Sequence, residues 1–366
     1  MTGRFLSIQL PVRCSPRYRF RRAGLTIRAR GACSFRSHSC HFALFFASPL
    51  AFLLDDFLGQ ADIGLRAGAR HVVEEDRLAE MLVEKAPEGI GKLWLSPSGS
   101  AVNEAAVKLA RQYHLARGNA EKTAVITRWH SYHGNTALAM SLSGSGPRRR
   151  PFQPYLNDFP HVLPPDPDRR PGTAESFADE VEHEILARGA QYISAVMVEQ
   201  VAGAPLGALI PPDGYLRRLR EICDRHDVLM IADEIVSGLG RTGRFFAVEH
   251  EGVVPDMITL AKGLGGGFTP IGAVLAHGRV TDALASAGQP FLHGESFTGH
   301  RLMGAAGVAV LDFIDRHGLV QRVAEDGPGL QARLAPLEDH PLVGRLRGRG
   351  FLWGLELVAE KDGLRP

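Results

Sequence analysis

The sequence predicts an α/β fold with a mostly parallel central sheet flanked by helices. Residues 195–198 and 228–232 are continuous apolar runs, and a helix-like segment, residues 214–226, lies between them. An unbroken apolar run of this length is typical of a strand covered on both faces. Two strands joined through a helix usually pair in parallel within one sheet. The pattern therefore favours a sheet buried between layers of helices.

The neighbouring segments extend this pattern in both directions. The helix predicted for residues 214–226 follows two prolines, and Asp213 is its expected N-cap residue. Downstream, residues 257–261 and 271–276 are apolar and predict two further strands. The apolar residues that recur at helical spacing within the helix are Leu216, Leu219 and Ile222.

Polar side chains stand where three of the predicted strands end. Glu199 follows the first apolar run, Asp233 follows the second, and Lys262 follows the run at residues 257–261. In open α/β sheets the ligand binds beyond the carboxyl ends of the strands, so we expect these side chains at one site. Pyridoxal phosphate needs a lysine amine for its Schiff base and a carboxylate to keep its ring nitrogen protonated. The sequence therefore suggests a pyridoxal phosphate site.

A helix predicted to begin within residues 98–101 offers a place for the phosphate. Its first turn contains glycine and small hydroxyl residues, and free backbone N–H groups at a helix N-terminus attract anions. The same residues also cap helices that bind nothing, so both interpretations stay open from this signal alone. The apolar stripe of the helix is formed by Val102, Ala105, Ala106, Leu109, Ala110 and Tyr113.

Six segments, taken in their order and spacing, resemble the class III aminotransferases, the branch of fold-type-I pyridoxal phosphate enzymes that includes omega-amino-acid transaminases. The resemblance runs from about Asp76 to about Val358. It implies the fold of a fold-type-I PLP transferase and pyridoxal 5'-phosphate as cofactor. The segments are SPSGSAVNEAAVKLARQYH (96–114), SYHGNT (131–136), VMVEQVAG (196–203), PDGYLRRLREICDRHDVLMIADEIVSGLGRTG (212–243), PDMITLAKGLGGG (255–267) and HGESFTGHRLMGAA (293–306).

The resemblance implies roles for the residues around the cofactor ring. Lys262 would form the Schiff base and, once freed by substrate, move a proton between substrate and cofactor. Asp233 would pair with the pyridinium nitrogen. Tyr132 would stack on one face of the ring and Ile235 would pack on the other. Glu199 resembles the family's active-site glutamate, although simple packing or a structural ion pair would also explain Glu199 and Ile235.

The resemblance also implies a phosphate site shared between two subunits. Gly99, Ser100 and Ala101 would receive the phosphate within one chain. Ser296 stands where the family usually has a threonine that reaches the phosphate of the neighbouring subunit, and serine keeps that hydroxyl. Because the family builds its site at a dimer interface, we expect a homodimer.

The sequence departs from the family at several positions without losing a catalytic group. Ala101 and Val102 replace the usual Glu-Ala pair, Gln200 replaces a proline, and Arg301 stands where proline often follows histidine.

Two alternative ligands find little support in the sequence. His130 and His133 have the spacing of a metal pair but no third ligand nearby, so we expect no metal site. The glycines at 265–267 lack the G-x-G-x-x-G spacing of a dinucleotide loop, which argues against an oxidoreductase.

The first part of the chain, residues 1–75, is unassigned. Residues 1–54 contain nine arginines but no lysine and no acidic residue. The segment could be a disordered mitochondrial-type presequence, a basic arm for an anionic surface, or a mistranslated stretch joined to the coding sequence near Asp76. We favour the last, because the family pattern begins abruptly there. The apolar run at residues 41–54 is too short to span a bilayer.

We divide the remainder into a PLP-binding large domain, residues 76–315, and the start of a C-terminal small domain, residues 316–366. The stretch GRGFLWGLELV (348–358) resembles the first strand of that small domain, which is incomplete in this sequence. Many relatives supply from there an arginine that binds the substrate carboxylate. No residue of this chain is assigned that role, and Arg241 belongs to a turn.

The expected function is that of a PLP-dependent aminotransferase, a transferase that moves an amino group from an amine or omega-amino acid donor to a keto acid acceptor. A hydrophobic content of 45% and a net charge of +2 agree with a cytoplasmic enzyme and indicate neither a nucleic-acid nor a membrane partner. The alternatives are an aminomutase or decarboxylase of the same fold, or a truncated inactive protein. If residues 1–75 form a presequence, the location would be mitochondrial.

Overall fold

The computed structural model describes residues 41–42 and 73–361. The interpretations of residues 1–75 therefore concern a segment that lies almost entirely outside the described residues. The strands are β1 (His41–Phe42), β2 (Ile90–Ser96), β3 (Ala124–Arg128), β4 (His161–Val162), β5 (Ile193–Glu199), β6 (Leu229–Asp233), β7 (Met257–Leu260), β8 (Gly272–His277), β9 (Val343–Arg349) and β10 (Leu352–Leu357).

The helices connect these strands and cover the larger sheet. They are α1 (Val73–Lys85), α2 (Gly99–Ala116), α3 (Ala137–Leu142), α4 (Gly146–Arg149), α5 (Ala174–Arg188), α6 (Tyr215–Arg225), α7 (Gly278–Ser286), α8 (Arg301–Arg316) and α9 (Leu319–Leu334).

A mixed sheet of seven strands forms the centre of the molecule, in the order β2-β8-β7-β6-β5-β3-β4. Strands β7, β6, β5, β3 and β4 pair in parallel, which agrees with the mostly parallel sheet predicted from the sequence. Strand β8 is antiparallel to both of its neighbours. The connection from β7 to β8, residues 261–271, contains only a 3-10 turn and is too short for the helical crossover that parallel pairing requires.

Strand β6 shows why the apolar runs are unbroken. Leu229 and Ile231 belong to a core cluster that includes residues of α2 and α7. Met230 belongs to a second cluster with residues of α5 and α6, and Ala232 to a third with residues of α1 and α8. Because successive side chains of a strand point to opposite faces, both faces of this sheet are covered by helices. This confirms the layered α/β prediction.

The N-terminus of α6 differs from the sequence prediction. The N-cap residue is Gly214, with φ of 97°, and Asp213 does not cap the helix. Instead the Glu251 carboxylate accepts hydrogen bonds from the backbone N–H groups of Gly214 at 3.1 Å and Arg217 at 3.2 Å. A residue distant in sequence thus supplies the acceptor that the local pattern assigned to Asp213.

A smaller antiparallel sheet, β1-β10-β9, packs beside the large one. One link to the rest of the chain is Arg347, whose guanidinium donates to Asp166 at 3.0 Å and to the Leu206 carbonyl at 2.9 Å. Within the small sheet, Arg347 also donates to Glu356 at 3.3 Å. The domain boundaries drawn from the sequence stay a prediction. Among the helices of the described residues, none is both long and apolar enough to cross a membrane.

Candidate active site

Asp233, the last residue of β6, is the centre of a buried hydrogen-bond network. Its Oδ2 accepts hydrogen bonds from Asn103 Nδ2 at 2.8 Å and from His133 Nδ1 at 2.7 Å. Its Oδ1 accepts one from the backbone N–H of Ile235 at 3.1 Å. A carboxylate oxygen can accept two hydrogen bonds, so Oδ1 has capacity for one more donor.

These contacts set the charge of Asp233. Burial alone would raise its pKa, but the hydrogen bond and charge of His133, together with the Asn103 amide and the Ile235 N–H, outweigh burial and lower the pKa below its usual value. The carboxylate is therefore ionised at neutral pH. A buried anion of this kind would stabilise a protonated ring nitrogen.

The position of His133 is fixed from two sides. Its backbone N–H donates to Ser143 Oγ at 2.8 Å, and its carbonyl accepts from Asn103 Nδ2 at 2.8 Å. Because a carboxylate only accepts, Nδ1 of the ring carries the proton shared with Asp233. Within residues 74–361, the buried His133 Nε2 and Asn103 Oδ1 have no hydrogen-bond partner.

Lys262 follows β7, the strand next to β6. In that pairing Thr259 lies opposite Asp233, so Lys262 extends beyond the same edge of the sheet. The side chain is exposed, and among the described residues its amine has no recorded hydrogen bond or ion pair. Its backbone φ is 42°, in the left-handed region that residues other than glycine seldom adopt. Strain of this kind is concentrated at functional sites.

The N-terminus of α2 reaches the same edge of the sheet. Ser98 caps the helix by accepting from the Ala101 N–H at 3.2 Å. Ser100 Oγ donates to Asn135 Oδ1 at 3.2 Å and accepts from the Asn135 N–H at 3.1 Å. A Cβ atom on Gly99 would lie 3.1 Å from Ile235 Cδ1, so glycine allows the first turn to approach the residues after β6.

Glu199, at the end of β5, is buried against the loop that carries Tyr132. Its carboxylate accepts from the N–H of Tyr132 at 3.0 Å and from the N–H of Gly203 at 2.5 Å. Burial is the largest cause that raises its pKa, and the charge of Asp233 adds to it. Glu199 therefore fixes the backbone at Tyr132 and Gly203, and its contact with a cofactor stays a prediction.

The structure brings most of the predicted site residues together. Tyr132 and Ile235 are half-buried and lie beside the Asp233 network. Tyr132 directly precedes His133, which donates to Asp233, and the backbone N–H of Ile235 donates to Asp233 as well. Ser296 differs: it is exposed in the irregular segment 289–300 before α8, and no described contact joins it to the others.

Two residues of the network, Asn103 and His133, were not predicted from the sequence. His133 had been considered only as half of a metal pair, whereas in the structure it serves Asp233. Asn103 is a fully buried polar residue between the apolar positions of α2. A polar side chain within an apolar stripe was the available signal, because a buried amide requires a partner.

Glu234, next to Asp233, was also overlooked. Its carboxylate accepts from the backbone N–H groups of Ala247 and Val248, each at 2.8 Å, and from Ser237 Oγ at 3.1 Å. Burial raises its pKa to about 7. It therefore anchors the turn after β6 to the 3-10 helix that begins at residue 247.

Together, the fold and the site define an α/β protein with a lysine, a buried aspartate and a helix N-terminus at one edge of a mostly parallel sheet. The sequence model of the family Aminotransferase class-III matches residues 64–363. The chain therefore belongs to the class III aminotransferases.

Individual relatives agree with this assignment. The chain is 38% identical over 299 residues to a probable aminotransferase of Mycobacterium tuberculosis, covering 78% of this chain and 62% of the relative. It is 34% identical over 291 residues to the putrescine–pyruvate aminotransferase of Pseudomonas aeruginosa, covering 78% and 63%. The chain thus spans about three fifths of the length of these curated relatives.

Solved structures share the fold. The omega transaminase of Pseudomonas jessenii in complex with PMP superposes with a TM-score of 0.79 at 32% identity, covering 90% of this chain and 74% of that one. This confirms the predicted fold class. Pyridoxal phosphate is the cofactor of the class III family, and the ionised Asp233, the exposed Lys262 and the α2 N-terminus fit its ring nitrogen, aldehyde and phosphate.

Proposed function

We propose that the chain is a PLP-dependent aminotransferase that takes an amino group from an amine or omega-amino acid and gives it to a keto acid. The observation that carries this proposal is an ionised, buried Asp233 at the end of β6 together with an exposed Lys262 just beyond the end of the adjacent strand β7. When bound, pyridoxal phosphate supplies an electron sink for carbanionic chemistry at the substrate carbon.

The position of each residue around the cofactor site suggests its role. Lys262 would hold the cofactor through its amine and would move the proton at the substrate carbon, roles that its exposure just beyond the strand end supports. Asp233 would hold the ring nitrogen in its protonated form, since its Oδ1 has capacity for one more donor. Tyr132 and Ile235 would hold the cofactor ring from its two faces.

The phosphate is held by backbone at the start of α2. The first turn of the helix carries N–H groups at Gly99, Ser100 and Ala101, of which that of Ala101 also donates to Ser98 Oγ at 3.2 Å, and the helix dipole favours an anion there. The contact between Ser100 and Asn135 keeps this turn beside the loop of Tyr132.

The working form is a homodimer in which Ser296 reaches the phosphate of the neighbouring subunit. Two large apolar side chains flank Ser296 on the surface: Leu292 is 74% exposed and Phe297 is 62% exposed. Exposed apolar side chains clustered on one segment favour an interface. Sedimentation should show a dimer at micromolar concentration, and a purely monomeric protein that turns over substrate would contradict this.

The decisive experiment is a visible absorption spectrum of the protein with pyridoxal phosphate, recorded for wild type and Lys262→Ala. We expect a visible band that depends on Lys262, disappears when an amine donor is added, and returns with a keto acid. Release of the keto or aldehyde product distinguishes an aminotransferase from a decarboxylase. A band of equal size in Lys262→Ala would remove Lys262 from its assigned role.

A further inference from the structure

Three consecutive arginines lie in the segment that follows α3. Arg148 and Arg150 are exposed, whereas Arg149 is buried. Within residues 74–361, none of the three forms an ion pair with a carboxylate. Clustered positive charge attracts anions.

Arg149 fixes the backbone of this segment. Its Nη1 donates to the carbonyls of Ser141 at 2.8 Å and Ser143 at 2.6 Å, with a longer contact of 3.3 Å to Met140. Ser143 is also the residue whose hydroxyl accepts the His133 N–H at 2.8 Å. Ser143 therefore connects the arginine segment to the loop that carries His133.

Arg148 extends from this fixed segment to the site. Its guanidinium carbon lies 4.7 Å from the centroid of the Tyr132 ring. Stacking on an aromatic ring orients the guanidinium plane and leaves the N–H groups at its edges free. Those groups have the geometry that binds a carboxylate with two parallel hydrogen bonds.

We propose that Arg148 binds the carboxylate of the substrate, and so determines the preference for amino-acid donors and keto acid acceptors over amines without a carboxylate. The inference rests on the proposed function, because Tyr132 borders the reacting centre only if the cofactor binds beside Asp233. It assigns to the large domain a carboxylate-binding residue that the sequence did not reveal.

A competing role for Arg148 is to support the Tyr132 ring. In that case its loss would weaken the binding of the cofactor and of every substrate alike. Carboxylate binding would instead affect only substrates that carry the carboxylate. A pair of donors that differ only in this group separates the two roles.

The test compares 4-aminobutanoate with butylamine as donors to the cofactor-loaded protein, following loss of the visible band in a single half-reaction. The variants are Arg148→Gln, Arg148→Lys and, as control, the exposed neighbour Arg150→Gln. We expect Arg148→Gln to raise the half-saturating concentration of 4-aminobutanoate about 10- to 100-fold, as for a lost charged hydrogen bond, and to leave butylamine unchanged. Arg148→Lys should recover part of the loss.

A second readout needs no turnover. Butanoate, which has the carboxylate but no amine, should raise the melting temperature of the wild type and of Arg150→Gln, but not of Arg148→Gln. Equal losses with both donors, or protection by butanoate that survives in Arg148→Gln, would overturn the inference while the aminotransferase proposal stands. A wild type without a Lys262-dependent band would reject the proposed function and this inference with it.

Discussion

Asp233 and Glu234 are neighbouring buried carboxylates whose pKa values shift in opposite directions. Asp233 faces His133 and Asn103, and these partners lower its pKa despite burial. Glu234 receives backbone N–H groups and a serine hydroxyl, and burial dominates to raise its pKa to about 7. The hydrogen-bonding partners of a buried carboxylate therefore decide the direction in which its pKa shifts.

The raised pKa of Glu234 should make stability depend on pH. The folded state holds this proton more tightly than the unfolded chain, so the contribution is fully present below the usual value of 4.5 and is lost as pH rises through about 7. We expect the unfolding free energy of wild type, relative to Glu234→Gln, to fall by about 1–3 kcal/mol from pH 5 to pH 8. Urea unfolding at four pH values measures this. A constant difference between the two proteins would disprove the assignment.

Removing His133 should impair the ionisation of Asp233. The lowered pKa of Asp233 is lost with its main partner, so protonation sets in at higher pH as the solution is acidified. In His133→Ala we expect the half-reaction to slow about 10- to 100-fold and its acid limb to move to higher pH. His226→Ala is the control, because His226 pairs with Glu182 away from the site. If the acid limb of the pH profile does not move in His133→Ala, His133 does not control the ionisation of Asp233.

The local sequence pattern predicted Asp233 and Lys262, because each stands where an apolar run ends. It did not find Asn103 or His133, because their contacts with Asp233 bridge 130 and 100 residues. Nor could it find Arg148, whose significance depends on stacking against Tyr132. Partners that meet only in tertiary structure leave at most a weak trace, such as a polar residue on an apolar helix face.

At the scale of elements, local rules succeeded at one helix and failed at another. Ser98 caps α2 as its sequence indicates. Asp213 does not cap α6, because Gly214 takes that place and Glu251 supplies the acceptor. The connection between α3 and α5, residues 143–173, contains α4, a 3-10 helix at Arg150–Tyr155 and β4.

The junction between α2 and the Tyr132 loop depends on Gly134. A Cβ atom there would lie 2.5 Å from Ser100 Oγ, and the backbone φ is 138°. Gly134→Ala should therefore separate the helix N-terminus from the loop and weaken pyridoxal phosphate binding about 10-fold. Gly118→Ala is a matched control, because its φ is 79° but nothing lies within 4 Å. Equal cofactor affinity in both variants, measured by fluorescence titration, would contradict this.

At the scale of the whole molecule, a small cluster of charges joins the two sheets. Arg347 is nearly buried between Asp166 and Glu356, and Arg169 contacts the same two carboxylates. These residues come from β9, β10 and the loop after β4. Ion pairs thus link the small sheet to the loop after β4, alongside the apolar contact of Leu352 with Val201 and Ala208. Ion pairs are a kind of contact that hydrophobic patterning cannot predict.

Replacing Arg347 should loosen this attachment. Arg347→Met leaves two buried carboxylates short of a partner, and we expect a loss of about 3 kcal/mol in unfolding free energy. Hydrogen exchange should accelerate first in residues 343–357. Arg322→Met removes an exposed pair with Asp326 and should cost less than about 0.5 kcal/mol. Uniform acceleration across both sheets would show that they unfold as a single unit.

The left-handed backbone at Lys262 affects the stability of variants in which the lysine is replaced. Glycine adopts a φ of 42° without strain, whereas alanine pays the same penalty as lysine. Lys262→Gly should therefore be more stable than Lys262→Ala by about 1 kcal/mol, visible as a higher melting temperature without cofactor. The reactive amine thus occupies a position where glycine would give a more stable fold, so selection for stability alone would tend to replace the lysine.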